Sequence, residues 1–341
     1  MIVNKFDINK YKIPFIKPLK TSNRIFKERE GIWLKITSNE ICGLGEAAPL
    51  PGFSNESLTE VRYALEGINL ALEGEDYDYE DLICLIKVHT ENVPSARFAL
   101  ETAFFDLYSQ KSNQKLAEFL NPNYKTQIKI NGIEGIHLPT DNFRIIKIKV
   151  GYNNLFDEID RMNYLTKSYG EAISFRLDLN GILDLPKAIR FCKTMENYNI
   201  DYIEQPIEPN NIEDIAELRY HTDIPIAVDE SLTDYKSAEK IIDMQAADVF
   251  VLKPMVSGGF VECKKIIELA QSEQIRTIIS SSLETNIGLN ACLHLAAANE
   301  ISDHCGLGTG ALLQESNINN QIRGEIVSMP KDAGLGIKLN I

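Results

Sequence analysis

Charged side chains recur at the carboxyl ends of short apolar segments in the second half of the chain. In residues 145–150 (IIKIKV), two lysines alternate with apolar residues, so a β-strand would direct both ammonium groups to one face. Residues 175–180 (FRLDLN) alternate in the same way, and three later segments also end in a charged residue. The charged residues at these ends are Lys147, Lys149, Asp178, Glu204, Asp229 and Lys253.

This set of residues is suited to proton transfer beside a metal ion. A single lysine or aspartate at a strand end is usually a solvated rim residue. Several charged side chains that converge on one place are harder to explain in this way. Unpaired buried charges are costly, and neighbouring carboxylates repel one another. Oxygen ligands from Asp178, Glu204 and Asp229 suit Mg²⁺, which would neutralise them. Lysines lie on both sides of these carboxylates and are candidate general acids and bases.

The elements that must position these residues are short strands separated by amphipathic helices. Successive strand ends after Lys149 fall at 178, 204, 229, 253, about 281 and about 308, a spacing close to one βα unit. Such a repeat favours a modified (β/α)8 TIM-type barrel, whose active site lies at the carboxyl ends of the strands. An open doubly wound sheet is the alternative, but no GxGxxG follows the first strand. The predicted strands are QIKING (127–132), RIIKIKVG (144–151), SFRLDLNG (174–181), YIEQP (202–206), PIAVDES (225–231), VFVLKP (249–254), RTIISSS (276–282) and GLGTG (306–310).

The first third of the chain has a different pattern. Residues 2 to about 50 alternate as strands, whereas 57–73 and 95–120 have helical periodicity. We therefore predict an N-terminal α+β capping domain over residues 1–122, completed by 311–341. The (β/α)7β-type barrel would occupy residues 123–310.

Bulk composition restricts the partners. The chain has 341 residues with 35 basic and 49 acidic side chains, a net charge of −14. Such a surface repels nucleic acid and anionic membranes, so we expect neither as a partner. The start lacks the apolar segment of a secretion signal, no run is long enough to span a bilayer, and the six cysteines have no CxxC spacing. We expect a cytoplasmic protein with reduced, buried thiols, and a homo-oligomer is compatible with the sequence.

Taken in order, the motifs IKIKVG, RLDLNG, YIEQP, AVDES, VLKPMVSGG and ISSSLETNIG resemble those of the muconate-lactonizing branch of the enolase superfamily. The resemblance runs from residue 43 to residue 310. It implies a metal-dependent enzyme with Mg²⁺ on the three carboxylates and acid/base lysines at 149 and 253. The substrate would be a small carboxylate whose α-proton is removed.

The lysines are expected to have unequal roles. A general-base lysine must be partly neutral, so Lys149 needs surroundings that disfavour its ammonium form. The neighbouring Lys147 and a bound cation would act in that direction. Lys147 itself is predicted to neutralise the substrate carboxylate, and Arg176 is a further predicted substrate contact.

Several reactions share this kind of site. Related dipeptide epimerases carry an Asp-x-Asp motif after strand eight, where this chain has glycines and a threonine. The segment GLGTG, the triple serine 280–282 and PLPGFS in the cap resemble o-succinylbenzoate synthase of menaquinone biosynthesis, which performs a syn dehydration. That resemblance implies that Ser280, Gly306 and Thr309 receive the succinyl carboxylate.

Other interpretations remain open. Within the same superfamily, dipeptide epimerase and N-succinylamino acid racemase are alternatives. A Schiff-base aldolase using Lys147 or Lys149 is an alternative of another class, but it would leave the three carboxylates without a role. A non-catalytic binding barrel should have lost a lysine or a ligand, and none is missing. Residues 20–30 resemble a cap loop that closes over substrate, although a plain surface loop explains them equally well.

Overall fold

The N-terminal domain opens with a three-stranded antiparallel sheet in the order β1-β2-β3. Within the predicted cap loop 20–30, residues from Ile25 onward already belong to the second strand, and residues 21–24 lie outside the described part of the chain. The strands are β1 (Lys5–Lys20), β2 (Ile25–Ser38) and β3 (Ile41–Ala47). The computed structural model describes residues 1–20, 25–72, 75–138, 141–151, 153–170, 172–314 and 322–337.

Four helices follow this sheet. Both segments with helical periodicity are helical, but the second is divided into two helices by residues 112–115. The helix at 79–89 was not anticipated from periodicity; Asp78 caps it by accepting a hydrogen bond from the Asp81 amide. The helices are α1 (Leu58–Leu72), α2 (Tyr79–His89), α3 (Pro94–Lys111) and α4 (Leu116–Leu120).

Helix α3 is the central element of the cap and is buried along most of its length. Strand β3 approaches its backbone closely, because a Cβ atom at Gly43 would lie 1.9 Å from the carbonyl oxygen of Ala103. On its other side, the Phe98 and Phe105 rings pack against Phe260 of the barrel. The cap and the barrel therefore share one continuous apolar contact.

The second domain is a parallel sheet of seven strands whose spatial order follows the chain order. Predicted strands two to seven are all present, with ends close to the expected positions, and the predicted barrel-plus-cap fold class is confirmed. The strands are β5 (Gly132–Ile133), β6 (Ile145–Lys149), β7 (Ser174–Asp178), β8 (Ile200–Glu204), β9 (Ile226–Val228), β10 (Val249–Leu252) and β11 (Arg276–Ile279).

The predicted eighth strand, GLGTG, is corrected by the structure. Only Cys305 and Gly306 pair in the sheet, with Ile130 on one side and Ser280 on the other, and these bridges close the barrel. The chain then turns into a 3₁₀ helix, Gly308–Leu312. Glycines favour such tight backbone paths over a regular strand.

Helices cover the outside of the barrel after most strands. The described part of the connection between β5 and β6 contains no α-helix, since few residues separate these two strands. The prediction of regular strand–helix alternation is therefore wrong for this first unit. The barrel helices are α5 (Leu155–Tyr169), α6 (Leu185–Met195), α7 (Ile212–Arg219), α8 (Tyr235–Asp243), α9 (Pro254–Ser257), α10 (Phe260–Ser272) and α11 (Asn286–Ala298).

The C-terminal segment contacts both domains. Leu313 forms a bridge to Phe15 of β1, and Gly334 bridges to Lys115 at the start of α4. A short hairpin, β12 (Ile322–Arg323) and β13 (Ile326–Ser328), instead pairs with β4 (Gln127–Lys129) beside the barrel. The described residues beyond 311 therefore bind the two domains together as well as extending the cap.

All six cysteines are free thiols, as expected. Four are buried, but Cys42 is half-buried and Cys84 is exposed, so the expectation of burial fails at these two positions. In the described parts of the chain, no helix has both the length and the apolar character needed to span a bilayer.

A buried histidine connects the two domains near the C-terminus. His294 of α11 accepts a hydrogen bond from the Ala117 amide at its Nδ1 atom, 3.0 Å away. Its Nε2 atom lies 3.3 Å from the Leu335 carbonyl and can donate to it. Burial lowers the pKa of His294 to about 4, because the protonated ring would lose hydration.

This histidine should make the protein less stable in mild acid. Because its pKa is lower in the folded state, its contribution is present above about pH 6.5 and is lost as the pH falls toward 4. Between pH 7 and pH 5 the loss should be about 2 kcal/mol of unfolding free energy. Urea unfolding at both pH values measures it. His294→Gln should reduce this pH dependence and His221→Gln, on the surface, should not; an unchanged slope in His294→Gln would contradict the assignment.

Candidate active site

The charged residues predicted from the sequence meet at one mouth of the barrel. Lys149 of β6 is the register partner of Asp178 of β7, which in turn pairs with Glu204 of β8. Asp229 and Lys253 directly follow β9 and β10. The alternating apolar residues Ile146, Ile148 and Val150 are buried on the other side of the strand. Strand alternation therefore delivers the charges to one place.

Two ammonium groups pair with the three carboxylates in this structure. The Lys147 Nζ atom lies 3.0 Å from Asp178 and 2.7 Å from Glu204. Lys253 makes an equivalent pair with Asp229 at 2.5 Å. All three carboxylates are buried, so these pairs form in a medium where charge interactions are strong.

Burial and neighbouring charge set the pKa values of this cluster. Burial raises the pKa of Glu204 to about 8; Lys147 opposes the rise, and repulsion by Asp178 and Asp229 adds to it. For Lys253, burial alone would lower the pKa, but Asp229 and Glu230 outweigh it and raise the pKa above its usual value. Glu204 is thus the carboxylate with the greatest need of additional positive charge.

A second hydrogen-bond chain leads to Lys149. Its Nζ atom donates to Asn180 Oδ1 at 2.9 Å, and Asn180 Nδ2 donates to Glu230 Oε1, also at 2.9 Å. The Asn180 side-chain amide is held in one orientation, because Lys149 requires an acceptor and the Glu230 carboxylate requires a donor. The site predictions omitted both residues, although Asn180 continues the alternating face of β7 and Glu230 directly follows Asp229.

The carboxylates have the chemistry of a hard-cation site. Glu204 Oε2 is buried and has no hydrogen-bond partner among the described residues, which is costly unless a further donor or cation satisfies it. Three carboxylates at adjacent strand ends supply oxygen ligands of the type that Mg²⁺ prefers. Among the described residues, however, no group of three or more histidine, cysteine or acidic side chains is already arranged to hold a metal ion. The donor set fits Mg²⁺, whereas the ammonium groups of Lys147 and Lys253 lie against the same oxygens.

Hydroxyl groups and glycine backbone line another part of this mouth. Ser280 pairs with Gly306, and a Cβ atom at Gly306 would lie 2.5 Å from the Ser280 hydroxyl oxygen. The hydroxyls of Ser281 and Thr309 are 2.7 Å apart. The structure thus brings together Ser280, Gly306 and Thr309, the three residues predicted to contact the succinyl carboxylate. Ser281, from the triple serine 280–282, lies beside them.

The prediction that Arg176 contacts substrate is corrected by the structure. Its side chain is fully buried and forms ion pairs with Asp201 at 2.7 Å and Asp303 at 2.8 Å. The guanidinium also lies over the Tyr202 ring. Asp201 lies near the amino end of β8, whereas the charged cluster lies at the carboxyl ends of the strands. The alternation of β7 correctly directs Arg176 into the barrel, but its position along the strand places it below the site.

Two family models match different parts of the chain. A model described as "Enolase C-terminal domain-like" matches residues 136–340. A model described as "MenC, N-terminal domain" matches residues 3–107. Together they cover most of the cap and most of the barrel.

Individual relatives are similar along almost the whole chain. L-Ala-D/L-Glu epimerase of Bacillus subtilis is 27% identical, covering 99% of this chain and 97% of its own. N-succinyl-L-Arg/Lys racemase of Bacillus cereus is 25% identical, covering 96% and 93%. A structure of dipeptide epimerase from Cytophaga hutchinsonii, complexed with Mg and the dipeptide D-Ala-L-Val, superimposes with a TM-score of 0.88 at 25% identity over 98% of this chain and 95% of that one.

The revised role of Arg176 can be tested by separating stability from binding. Arg176→Met removes a cation that pairs with the Asp201 and Asp303 carboxylates, so the unfolding free energy should fall by about 3 kcal/mol. Arg190→Met removes an exposed arginine and should leave stability nearly unchanged. Denaturant unfolding measures both. An Arg176→Met protein of normal stability but with weakened carboxylate binding would restore the original prediction.

Proposed function

Because the chain belongs to the enolase superfamily, as the matched C-terminal domain model shows, we propose that it removes the α-proton of a carboxylate substrate that bears a second, succinyl-type carboxylate. The observation that carries this proposal is the chemistry of the barrel mouth after the eighth strand. Ser280, Ser281 and Thr309 present hydroxyls there, beside Gly306, which has no side chain and whose backbone is already hydrogen-bonded within the barrel. GLGTG contains no carboxylate. Hydroxyl groups can donate hydrogen bonds to an anion, and GLGTG offers no negative charge to balance a buried ammonium group.

Asp178, Glu204 and Asp229 would hold Mg²⁺ in this proposal. When bound, the cation acts as a Lewis acid toward the substrate carboxylate and makes the adjacent α-proton easier to remove. Lys147, which already pairs with Asp178 and Glu204, would turn toward the incoming carboxylate.

The two remaining lysines would face the reacting carbon from opposite sides. Lys149 ends the second strand of the barrel and Lys253 follows the sixth, so four of the eight positions separate them around the ring. Lys149, held by the Asn180–Glu230 chain, would accept the α-proton at Nζ. Lys253, kept protonated by Asp229, would contribute positive charge or deliver a proton to the opposite face.

The reaction we favour is dehydration of 2-succinyl-6-hydroxy-2,4-cyclohexadiene-1-carboxylate to o-succinylbenzoate. In a syn elimination, one group can take the α-proton and return it to the leaving hydroxyl, and Lys149 would fill that role. The N-terminal domain match to the MenC family supports this substrate, as does the anion-suited end of strand eight.

Racemisation of N-succinyl amino acids is the second candidate. Named relatives that span nearly the whole chain are racemases and epimerases, and they support an isomerase more directly than a lyase. Two lysines on opposite sides of one carbon are the arrangement that proton exchange between faces requires. A dipeptide epimerase is less compatible with the site, because GLGTG offers no carboxylate to a dipeptide ammonium group.

Incubating each candidate substrate in D₂O with Mg²⁺ distinguishes these activities. We expect rapid formation of o-succinylbenzoate, slower α-deuteration of N-succinyl amino acids and little exchange with Ala-Glu dipeptides. Proton NMR follows product and α-exchange together, and excess chelator should abolish every reaction. Fast N-succinyl exchange without dehydration would favour the racemase. Rapid dipeptide exchange, or full activity with chelator, would reject the proposed substrate class or the metal, respectively.

Single substitutions should reveal unequal lysine roles. Lys149→Ala removes the proposed base and should lower dehydration by a factor of about 10²–10⁴ or more. Lys253→Arg keeps the positive charge and should retain measurable dehydration, although the planar guanidinium fits poorly. Steady-state rates measure both, with the exposed Lys187→Ala as control. Substantial activity in both Lys149→Arg and Lys253→Arg would mean that neither lysine carries the proton.

A further inference from the structure

A cap residue reaches into the barrel loop that carries the serines. Arg29 of β2 is 1% exposed, and its Nε atom donates to the Leu283 carbonyl at 3.0 Å. One terminal nitrogen donates to the Ser282 carbonyl at 3.1 Å, and the other donates to the Pro49 carbonyl at 3.1 Å. A single guanidinium thus joins a cap loop to residues 280–285, which we call the serine loop.

The charge of Arg29 is unusual for so buried a group. Within the described parts of the chain it forms no salt bridge, and its hydrogen bonds go to backbone carbonyls. A buried cation is costly, and five N–H donors in a rigid fork allow it to satisfy several carbonyls at once. The arrangement therefore depends on the guanidinium geometry as well as on its charge.

The residue that Arg29 holds has a strained backbone. Leu283 has φ of 68°, a left-handed conformation that is unfavourable for a leucine. Both of its backbone polar groups are fixed, because its amide donates to the Ser281 hydroxyl at 2.9 Å and its carbonyl accepts from Arg29. Strain of this kind persists only where the surroundings enforce it, and it concentrates at functional sites.

A second cap residue holds the far end of the loop. Glu46 of β3 accepts hydrogen bonds from the Thr285 amide at 2.9 Å, the Thr285 hydroxyl at 2.7 Å and the Gly288 amide at 2.8 Å. Through these bonds Glu46 caps the N-terminus of helix α11. The N-cap residue, Thr285, does not use its own side chain for this purpose. The end of the loop is therefore set independently of Arg29.

We propose that Arg29 is a specificity-positioning residue: by holding the strained Leu283 backbone, it keeps the serine loop in the conformation in which Ser280 and Ser281 receive the distal carboxylate of the substrate. This inference rests on the proposed function, since it requires a substrate with a second carboxylate. Arg29 acts through the loop, and its hydrogen bonds are already committed to carbonyl oxygens.

Discrimination between matched ligands tests the proposal. In one pair, o-succinylbenzoate is compared with 2-butanoylbenzoate, in which a methyl group replaces the distal carboxylate. In the other, N-succinyl-L-phenylglycine is compared with N-butanoyl-L-phenylglycine. Calorimetry with the full chain and Mg²⁺ gives the Kd ratio within each pair, and thermal unfolding of every variant is measured alongside.

Arg29→Gln should reduce the preference for the succinyl ligand by about tenfold while binding of the butanoyl ligand changes little. Arg29→Lys should also lose preference, because a single ammonium cannot hold the same set of carbonyls. Arg97→Gln is the matched control, since Arg97 binds the Thr90 backbone within the cap and lies outside the serine loop.

A rescue experiment separates positioning from general destabilisation. Glycine adopts positive φ without strain, so Leu283→Gly should restore about threefold of the lost preference in the Arg29→Gln background. Equal weakening of both ligands, or no rescue, would overturn the positioning role and leave Arg29 a structural residue. A wild-type protein that shows no preference for either succinyl ligand would instead reject the proposed function itself.

Discussion

Buried carboxylates at the barrel mouth are the constraint on which the rest of the site depends. Asp178, Glu204 and Asp229 occupy the ends of three adjacent strands, where each is shielded from water. Their mutual repulsion has to be met by positive charge, and in this structure Lys147 and Lys253 supply it. Glu204 has a raised pKa, and one of its oxygens has no hydrogen-bond partner within the described part of the chain. A bound cation would relieve this excess of negative charge.

The barrel alone does not complete the site. Its serine loop is held from outside by two cap residues, Arg29 and Glu46, which lie on neighbouring strands of the N-terminal sheet. Burial of α3 between the domains keeps these strands in place. The groups that would perform proton transfer are therefore fixed by the barrel, whereas the groups that would select the substrate are fixed by contacts between domains.

This division explains why related proteins can share a fold and differ in substrate. Proton abstraction beside a carboxylate requires the same lysines and acidic residues whatever the rest of the substrate is. In the proposed function, selectivity would come from the distal contacts, where an unpaired buried charge costs several kcal/mol. Under the same proposal the segment GLGTG indicates the substrate class, whereas the named relatives, at 25–27% identity, are racemases and epimerases.

The sequence by itself determined the features that depend on local periodicity. Alternation in IIKIKV and FRLDLN identified which side chains enter the barrel, and the regular spacing of strand ends indicated the fold class. Residues at strand ends converge in any closed parallel barrel, so Lys149, Asp178 and Glu204 could be grouped without coordinates. The two long cap helices followed from the same kind of pattern.

Only the tertiary structure decided the rest. Alternation could not say how deep Arg176 lies, and its partners Asp201 and Asp303 come from other strands and loops. The lack of a helix in the described part of the β5–β6 connection and the 3₁₀ turn at Gly308–Leu312 depend on how the barrel closes. Arg29 and the Leu283 carbonyl are 254 positions apart in sequence. No periodic pattern links residues so distant, because their contact exists only where the cap packs against the barrel.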